Sequence, residues 1–251
     1  MRQTSATEIT LRVRRHDPRA GHAPSYESYR LPLGDRMTVL DALFHVLWYL
    51  DGSLSFRCSC RAGMCGSCGM LVNAREVLAC RTQLANLGPT VTVEPLRNMP
   101  VLKDLTVDMD PFFDKYQAIT PFLVPNADLT EPAAIPAGSR MRDLIDDHLD
   151  CISCGLCYSA CSIVAFDPDY LGPAALNRAY CLVSDTRDAA RDRRLDRVEG
   201  QHGVWRCHSL LECTEVCPKN LAPTQAIVKL KRLSGRRRLR GLLRTVSNAV
   251  R

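Results

Sequence analysis

The sequence lacks the features of a secreted, membrane-spanning or disordered protein. No apolar segment follows Arg2, so the N-terminus is not typical of a signal peptide. The most apolar run, residues 42–50, is far shorter than the ~20 residues that a membrane-spanning helix requires, and it contains His45. Apolar residues make up 46% of the chain and charged residues 24%, which excludes a disordered or collagen-like chain. We therefore expect a globular, cytosolic protein.

Motifs of several common catalytic sites are missing as well. No glycine-rich nucleotide fingerprint follows a predicted strand, and neither a G-x-S-x-G elbow nor an H-E-x-x-H zinc motif is present. The sequence therefore gives no sign of a substrate site of its own.

Cysteine is abundant instead, with 13 residues in a chain of 251. A chain of this length does not need cross-links to be stable, and disulfides are uncommon in the cytosol, so clustered thiols indicate a metal site. The thiols form three groups: Cys58, Cys60, Cys65, Cys68 and Cys80; Cys151, Cys154, Cys157 and Cys161; and Cys207, Cys213 and Cys217. Cys181 stands alone in an apolar helical pattern, where a core role is the simplest interpretation.

The pattern of apolar residues predicts an α+β protein of two domains, residues 1–105 and 106–251. Alternation over residues 8–14 and 26–33 predicts two strands, and short strands are expected at 70–72 and 90–93. Thr38 is predicted to cap a helix, with Asp41 as the acidic partner. Helices are predicted over residues 140–148, 174–183 and 224–230 of the second domain, and a proline-rich stretch lies at 121–136.

The first group contains the spacing of a plant-type [2Fe–2S] site. Cys60, Cys65 and Cys68 form C-x4-C-x2-C, and Cys80 follows after eleven residues. Glycines in this loop allow the backbone to fold closely around a cluster. A zinc site or buried free thiols are the alternatives, but a four-cysteine zinc site usually needs two C-x2-C knuckles, and one is present. Cys58 is interpreted as structural.

The second and third groups together resemble the cysteine runs of a two-cluster ferredoxin. Cys151, Cys154, Cys157 and Cys161 have the C-x2-C-x2-C-x3-C spacing, and Cys207, Cys213 and Cys217 repeat it with Leu210 in the second position. The fourth cysteine of each run serves the other cluster. The rule predicts a [4Fe–4S] cluster on Cys151, Cys154, Cys157 and Cys217 and a [3Fe–4S] cluster on Cys161, Cys207 and Cys213. The alternatives for the latter are a [4Fe–4S] cluster with a solvent ligand and an unfilled site.

Several motifs make the chain similar to the iron–sulfur subunits of succinate dehydrogenase and fumarate reductase. These motifs are SFRCSCRAGMCGSC (55–68), LAC (78–80), VLKDLTVDMDPFFDKY (101–116), YLGPAALNRAY (170–180), SDTRD (184–188) and RCHSLLECTEVCPKNL (206–221). The resemblance spans nearly the whole chain. It implies an N-terminal β-grasp [2Fe–2S] ferredoxin-like domain and a C-terminal α-helical dicluster ferredoxin domain.

The resemblance also implies a function and partners. Single electrons would pass from a FAD-containing flavoprotein subunit, where succinate becomes fumarate, through [2Fe–2S], [4Fe–4S] and [3Fe–4S] to quinone at a membrane anchor. The chain would lie peripherally on the cytoplasmic face of the cell membrane, held by anchor subunits. The resemblance does not say whether the enzyme oxidises succinate or reduces fumarate, or whether its quinone is menaquinone or ubiquinone. It also leaves open that the chain belongs to another flavoprotein–quinone complex.

One segment departs from the pattern of many family members. Ser162 follows Cys161 where they have proline, and no tryptophan pair follows in residues 161–167. His208 matches a family quinone-site residue, although a hydrogen bond to the cluster is an alternative role. Our hypothesis is that electrons pass to haem in a di-haem b anchor subunit instead of to quinone beside His208.

The net charge of +6 is concentrated at the C-terminus. Residues 218–251 contain ten Lys/Arg and no acidic residue, so the rest of the chain carries about −4. This segment is predicted to bind anionic lipid, an acidic partner or nothing at all. The lack of interleaved aromatics argues against nucleic acid. The alternative from another class is a structural zinc protein or a nucleic-acid-binding protein that uses cysteine knuckles and this tail.

Overall fold

A mixed five-stranded sheet forms the centre of the N-terminal part. The computed structural model describes residues 8–21, 23–126 and 134–249, with side chains as far as residue 243. The strands are β1 (Glu8–Arg15), β2 (Ser25–Pro32), β3 (Gly69–Val72), β4 (Arg75–Leu78) and β5 (Thr90–Glu94). Their order is β2-β1-β5-β3-β4, with β1 and β5 parallel and the other neighbours antiparallel. A hairpin joined to a parallel central pair is the β-grasp arrangement, as the resemblance implied.

The sheet contains all four strands that the sequence predicted and one more, β4. Ile9, Leu11 and Val13 of β1 are buried, because every second side chain faces the core. The sequence prediction did not include β4. It is joined to β3 by a two-residue turn in which Asn73 and Ala74 have φ of 48° and 63°. Such turns usually contain glycine, so the Ala74 turn left no recognisable hairpin signal.

The first helix, α1 (Val39–His45), begins at the predicted cap. The Thr38 hydroxyl accepts a hydrogen bond from the Asp41 N–H (3.2 Å), and the Asp41 carboxylate accepts one from the Thr38 N–H (2.9 Å). A π-helical turn, Val46–Leu50, then continues the helix. Leu50, at the end of this wider turn, is exposed.

Short strands and helices make up the remainder. The strands are β6 (Val101–Lys103) and β7 (Thr106–Val107). The helices are α2 (Asp110–Gln117), α3 (Arg140–Leu149), α4 (Leu156–Ser159), α5 (Ser162–Phe166), α6 (Gly172–Ser184), α7 (Arg191–Val198), α8 (Glu212–Glu215) and α9 (Pro223–Ala249). Helix α6 is buried along most of its length and packs on α3, α7 and α9. Part of the proline-rich stretch, residues 127–133, lies outside the described residues.

Helix α9 is much longer than the sequence pattern predicted. The sequence pattern predicts a helix over residues 224–230 only. The helix instead continues to Ala249 and passes through the half-buried Gly235. A glycine inside a helix is tolerated at a cost of about 1 kcal/mol. Among the described residues, no helix is both long enough and apolar enough to cross a membrane.

The described contacts divide the chain into two compact units. One contains Met1–Phe112 together with Ile152–Ala160, and the other contains Phe113–Cys151 and Cys161–Arg251. The α+β class, with a β-grasp N-terminal part and a helical C-terminal part, is as predicted. The division into domains at residue 105 stays a prediction, and the contacts group the residues differently by adding residues 152–160 to the first unit.

Candidate iron–sulfur sites

The loop after the π-helical turn surrounds the sulfur of Cys60 with backbone donors. The N–H groups of Ala62, Met64 and Cys65 donate to the Cys60 Sγ at 3.4, 3.3 and 3.3 Å. The Cys60 N–H in turn points at the Cys65 Sγ, at 3.5 Å. Several N–H groups aimed at sulfur stabilise negative charge there, which is what a metal-bound thiolate requires.

The Ser67 hydroxyl stabilises the ionised form of a second thiol of this loop. It donates to the Cys65 Sγ at 3.3 Å. This hydrogen bond, followed by backbone donors, lowers the pKa of Cys65 to about 6. Cys65 is therefore a thiolate at neutral pH. The importance of Ser67 was missed from the sequence, although its position between two predicted ligands was a usable signal.

Cys68 and Cys80 meet on the inner side of the loop. The Ala79 N–H donates to the Cys68 carbonyl at 3.0 Å, which holds the two segments together, and the two thiols lie within hydrogen-bonding reach. Burial raises the pKa of Cys68 to about 12, so this thiol is protonated at neutral pH and would have to lose its proton to bind a metal ion. The structure thus brings together the four cysteines predicted for the [2Fe–2S] site. Cys58, half-buried nearby, is the fifth thiol of this region.

Close packing explains one glycine of this loop. Gly66 has φ of 72°, and a Cβ added there would lie 2.6 Å from the Cβ of Cys154. No other residue fits, because both the backbone angle and the space exclude a side chain. Gly63, with φ of 71°, would place its Cβ 3.0 Å from the flexible Arg81 side chain, a milder contact.

Cys154 and Cys157 lie on a segment that is held by polar contacts within the first unit. The Ser159 hydroxyl donates to Glu76 (3.1 Å) and accepts from the Arg97 N–H (2.9 Å). The Asn98 amide donates to the carbonyls of Tyr158 and Ser159, at 3.1 Å each. The other predicted [4Fe–4S] ligands, Cys151 and Cys217, belong to the second unit.

Three thiols from distant parts of the chain converge in the second unit. Cys161 precedes α5, Cys207 follows a short 3-10 turn and Cys213 lies in α8, yet each is close enough to affect the ionisation of the others. They line a small cleft together with His208, Leu210 and other residues of the second unit. Burial raises the pKa of Cys161, and that of Cys213 to about 11.

Hydroxyl groups face these three thiols. The phenol of Tyr170 is buried beside them and hydrogen-bonds with the Cys207 thiol, while burial raises the pKa of Tyr170 well above its usual value. Tyr170 therefore remains a donor. The Thr224 hydroxyl lies 3.2 Å from the Cys213 Sγ, and the Ser209 N–H donates to the Cys207 Sγ at 3.3 Å. Tyr170 and Thr224 were not predicted, because both are far in sequence from the cysteines that they contact.

The side chain at the position of the missing cysteine offers no ligand atom. Leu210 lines the cleft and is 54% exposed. Its neighbours Ser209 and Leu211 both have positive φ, of 58° and 68°, so the loop turns sharply on either side of it. The Lys231 ammonium donates to the Cys207 carbonyl at 2.6 Å and holds the start of this loop. Three thiols, their donors and one apolar side chain fit a cluster with three protein ligands.

Two further predicted residues differ in their surroundings. His208 is exposed and lines the same cleft. Cys181 is 2% exposed on α6, and burial raises its pKa to about 11, as suits a core thiol.

A β-grasp sheet that carries a thiol loop, followed by a helical unit with clustered thiols, defines the class of ferredoxin-type iron–sulfur proteins.

Comparison with known proteins supports this class and identifies a family within it. A family described as "2Fe-2S iron-sulfur cluster binding domain" matches residues 10–114, and one described as "4Fe-4S dicluster domain" matches residues 147–221. The fumarate reductase iron-sulfur subunit of Mycobacterium tuberculosis is 40% identical, over 94% of this chain and 96% of that protein. That of Haemophilus influenzae is 35% identical, over 87% and 90%.

A solved structure gives the same result in three dimensions. A chain of the Mycobacterium smegmatis Sdh1 complex in the apo form superposes with a TM-score of 0.84 at 28% identity, covering 93% of this chain and 98% of that one. The protein belongs to the family of iron–sulfur electron-transfer subunits of succinate dehydrogenases and fumarate reductases. The two family models support [2Fe–2S] and [4Fe–4S] clusters in it.

Proposed function

We propose that this chain relays single electrons between a FAD-containing flavoprotein subunit and a membrane anchor subunit of a succinate:quinone oxidoreductase. Its clusters, when bound, supply one-electron carriers. The ligands would be Cys60, Cys65, Cys68 and Cys80 for [2Fe–2S]; Cys151, Cys154, Cys157 and Cys217 for [4Fe–4S]; and Cys161, Cys207 and Cys213 for [3Fe–4S]. The peripheral position on the cytoplasmic face of the membrane is part of the same proposal.

The cleft around Leu210 is the observation that carries the proposal. Three thiols face it, and Leu210, at the second position of the cysteine run, is apolar. A three-iron cluster takes one electron without needing a fourth thiolate. Tyr170, Thr224 and the Ser209 N–H would stabilise the negative charge on the sulfurs when that electron arrives.

Substitution of Leu210 by cysteine tests this assignment. The purified wild-type chain should contain about nine iron atoms and give the EPR signal of an oxidised three-iron cluster. Leu210→Cys should raise the iron content to about ten and remove that signal. Leu211→Cys is the matched control, because Leu211 lies next in the chain with a similar exposure, 49% against 54%. A wild-type protein that lacks the three-iron signal after mild oxidation would contradict the assignment.

The surface next to the [2Fe–2S] loop supports a protein partner at that end. Trp48 and Tyr49, from the π-helical turn, are 60% and 72% exposed, and Met64 of the loop is 61% exposed. The Phe44 ring stacks on Trp48 (4.8 Å) and lies under the Arg61 guanidinium (4.4 Å), which links the helix to the loop. Exposed apolar groups of this size mark surfaces that another protein covers, and the flavoprotein subunit is the partner that we propose.

The electron acceptor at the other end is proposed to be haem in a di-haem b anchor, with quinone elsewhere. Residues 161–167 contain no tryptophan, and Phe166, in α5, is 90% exposed and so is not packed into the cleft. The absorption spectrum of the purified complex tests the haem content. A structure of the complex with a quinone head group against His208 would contradict this part of the proposal.

A fumarate reductase is the second candidate, favoured by the names of the relatives at 35% and 40% identity. The chain shares its proposed electron path with either enzyme, so the direction depends on its partners and on the quinone. The complex, isolated with its own flavoprotein and anchor, should be assayed for succinate oxidation and for fumarate reduction with quinones of both types. The faster direction, with the quinone that the membrane contains, decides between the two.

A further inference from the structure

The second half of helix α9 presents apolar side chains on the side that faces away from its own unit. Between residues 226 and 243, the buried residues of the helix are Ala226, Ile227, Leu230 and Ser234. Leu239, Leu242 and Leu243 are 58%, 65% and 61% exposed. At 100° per residue the two sets point roughly 160° apart around the helix. The three leucines therefore do not continue the core face, and packing within the unit does not explain them.

Ion pairs with acidic residues set the orientation of this half of the helix. Arg237 pairs with Asp196 at 2.6 Å and with Glu199 at 3.5 Å. Arg238 pairs with Glu199 at 3.4 Å and lies over the Trp205 ring at 5.2 Å. These contacts hold one side of α9 against the region of α7. The side that carries the leucines is left facing outward.

Arginines without such partners lie beside the leucines. Arg232, Arg236 and Arg240 follow one another at four-residue intervals and are exposed, and among the described residues they form no ion pair with an acid. From residue 218 onward the sequence contains no Asp or Glu. Arg236 and Arg240 share a groove with Asp192, Asp196 and Glu199, but the ion pairs of those acids are with Arg237 and Arg238. An apolar stripe bordered by arginines that form no ion pair is the pattern of a helix that lies in the headgroup region of a membrane.

We propose that Leu239, Leu242, Leu243, Arg232, Arg236 and Arg240 form a lipid-binding surface that attaches α9 directly to an anionic bilayer. The arginines match the negative charge of anionic headgroups, and the leucines enter the boundary with the acyl chains. This surface has no aromatic residue on which a base could stack, so its chemistry favours lipid over nucleic acid. The proposal is independent of the electron path, because it concerns a surface without cluster ligands.

Vesicle flotation of the purified, cluster-loaded chain tests the proposal. The chain should float with vesicles of phosphatidylglycerol and phosphatidylcholine, and not with phosphatidylcholine alone, and salt should weaken the binding. At about 1 kcal/mol per basic residue near the surface, Arg236→Gln with Arg240→Gln should weaken binding about thirtyfold. Leu239→Ser with Leu242→Ser and Leu243→Ser should weaken it about tenfold or more.

A charge-matched variant distinguishes this surface from a general effect of net charge. Arg30→Gln with Arg75→Gln removes two exposed arginines from the β-sheet and should leave vesicle binding unchanged. Circular dichroism and the visible spectrum of the clusters show whether each variant is folded. The proposal would be overturned if both double arginine variants lost vesicle binding equally, or if the wild type did not bind vesicles. Substitutions in α9 that spare vesicle binding but release the chain from an anchor subunit or another acidic protein would also overturn it.

Discussion

The thiol loop of the first unit and the three-thiol cleft of the second bring their cysteines together in different ways. In the loop, Cys60 and Cys65 receive hydrogen bonds from residues within five positions, and the pKa of Cys65 falls to about 6. In the cleft, the thiols come from segments up to 52 residues apart, and burial raises the pKa of Cys213 to about 11. The first site is built by a local backbone conformation and the second by the packing of distant elements.

This difference has a consequence for metal binding. A thiol with a lowered pKa is ready to bind iron, whereas a buried thiol must first lose a proton against the cost of burial. We therefore expect the thiolate of Cys65 to depend on the loop itself, whereas metal binding by the cleft should depend on the packing around Cys161 and Cys213.

The largest effect is expected where the loop itself is tightly packed. Gly66→Ala places a Cβ against Cys154 and adds a side chain at φ of 72°, which together should cost about 3–4 kcal/mol of unfolding free energy. Gly88→Ala is the control, since φ is 84° there but nothing lies within 4 Å, so about 1 kcal/mol is expected. Urea unfolding measures both. Equal losses would mean that the close approach to Cys154 is unimportant.

A pH-dependent effect of intermediate size is expected from the interior of the second unit. His148, 1% exposed, hydrogen-bonds with Asn177 at 2.9 Å and lies 3.4 Å from the Lys229 ammonium. Burial, then Lys229, lowers the pKa of His148 below the ordinary 6.5. The unfolded chain therefore takes up a proton that the folded chain does not. Stability should fall by up to about 1.4 kcal/mol per pH unit between pH 6.5 and the lower pKa of the folded state.

His148→Gln should remove this part of the pH dependence. Urea unfolding between neutral and mildly acidic pH, compared between wild type and variant, isolates the histidine from the thiols, which titrate in both proteins. Parallel curves over the whole range would contradict the assignment.

The smallest effect is expected for a single hydroxyl in the cleft. Tyr170→Phe removes the hydrogen bond to Cys207. The reduced cluster should lose about 1 kcal/mol of stabilisation, which lowers its one-electron reduction potential by about 40 mV. Tyr180→Phe is a control in the same unit, because its ring contacts His148 and Lys229 instead of the predicted ligands. An EPR-monitored redox titration should show a shift for Tyr170→Phe and none for Tyr180→Phe.

Local signals in the sequence predicted much of the fold. The capping pair of Thr38 and Asp41, the alternation of β1 and the start of α6 depend on residues a few positions apart, and the structure contains all three. Strand β4 and the second half of α9 were missed. The turn at Ala74 and the glycine at 235 contradict the usual residue preferences, and the surrounding structure overrides them.

In the candidate sites too, local patterns predicted some features and missed others. The cysteine spacing alone predicted which thiols could share a cluster, and Cys60, Cys65, Cys68 and Cys80 do come together. Tyr170 and Thr224 could not be predicted, because no local pattern connects them with Cys207 or Cys213.

The sequence by itself determined the family, the cysteine runs and the absence of a ligand at Leu210, since these follow from residue identity and spacing. The tertiary structure decided that residues 152–160 pack with the first unit, that hydroxyl groups face the sulfurs of the second, and that three leucines of α9 point away from its core. Those features arise when distant segments compete to bury apolar surface and to satisfy polar groups, a balance that depends on the whole chain.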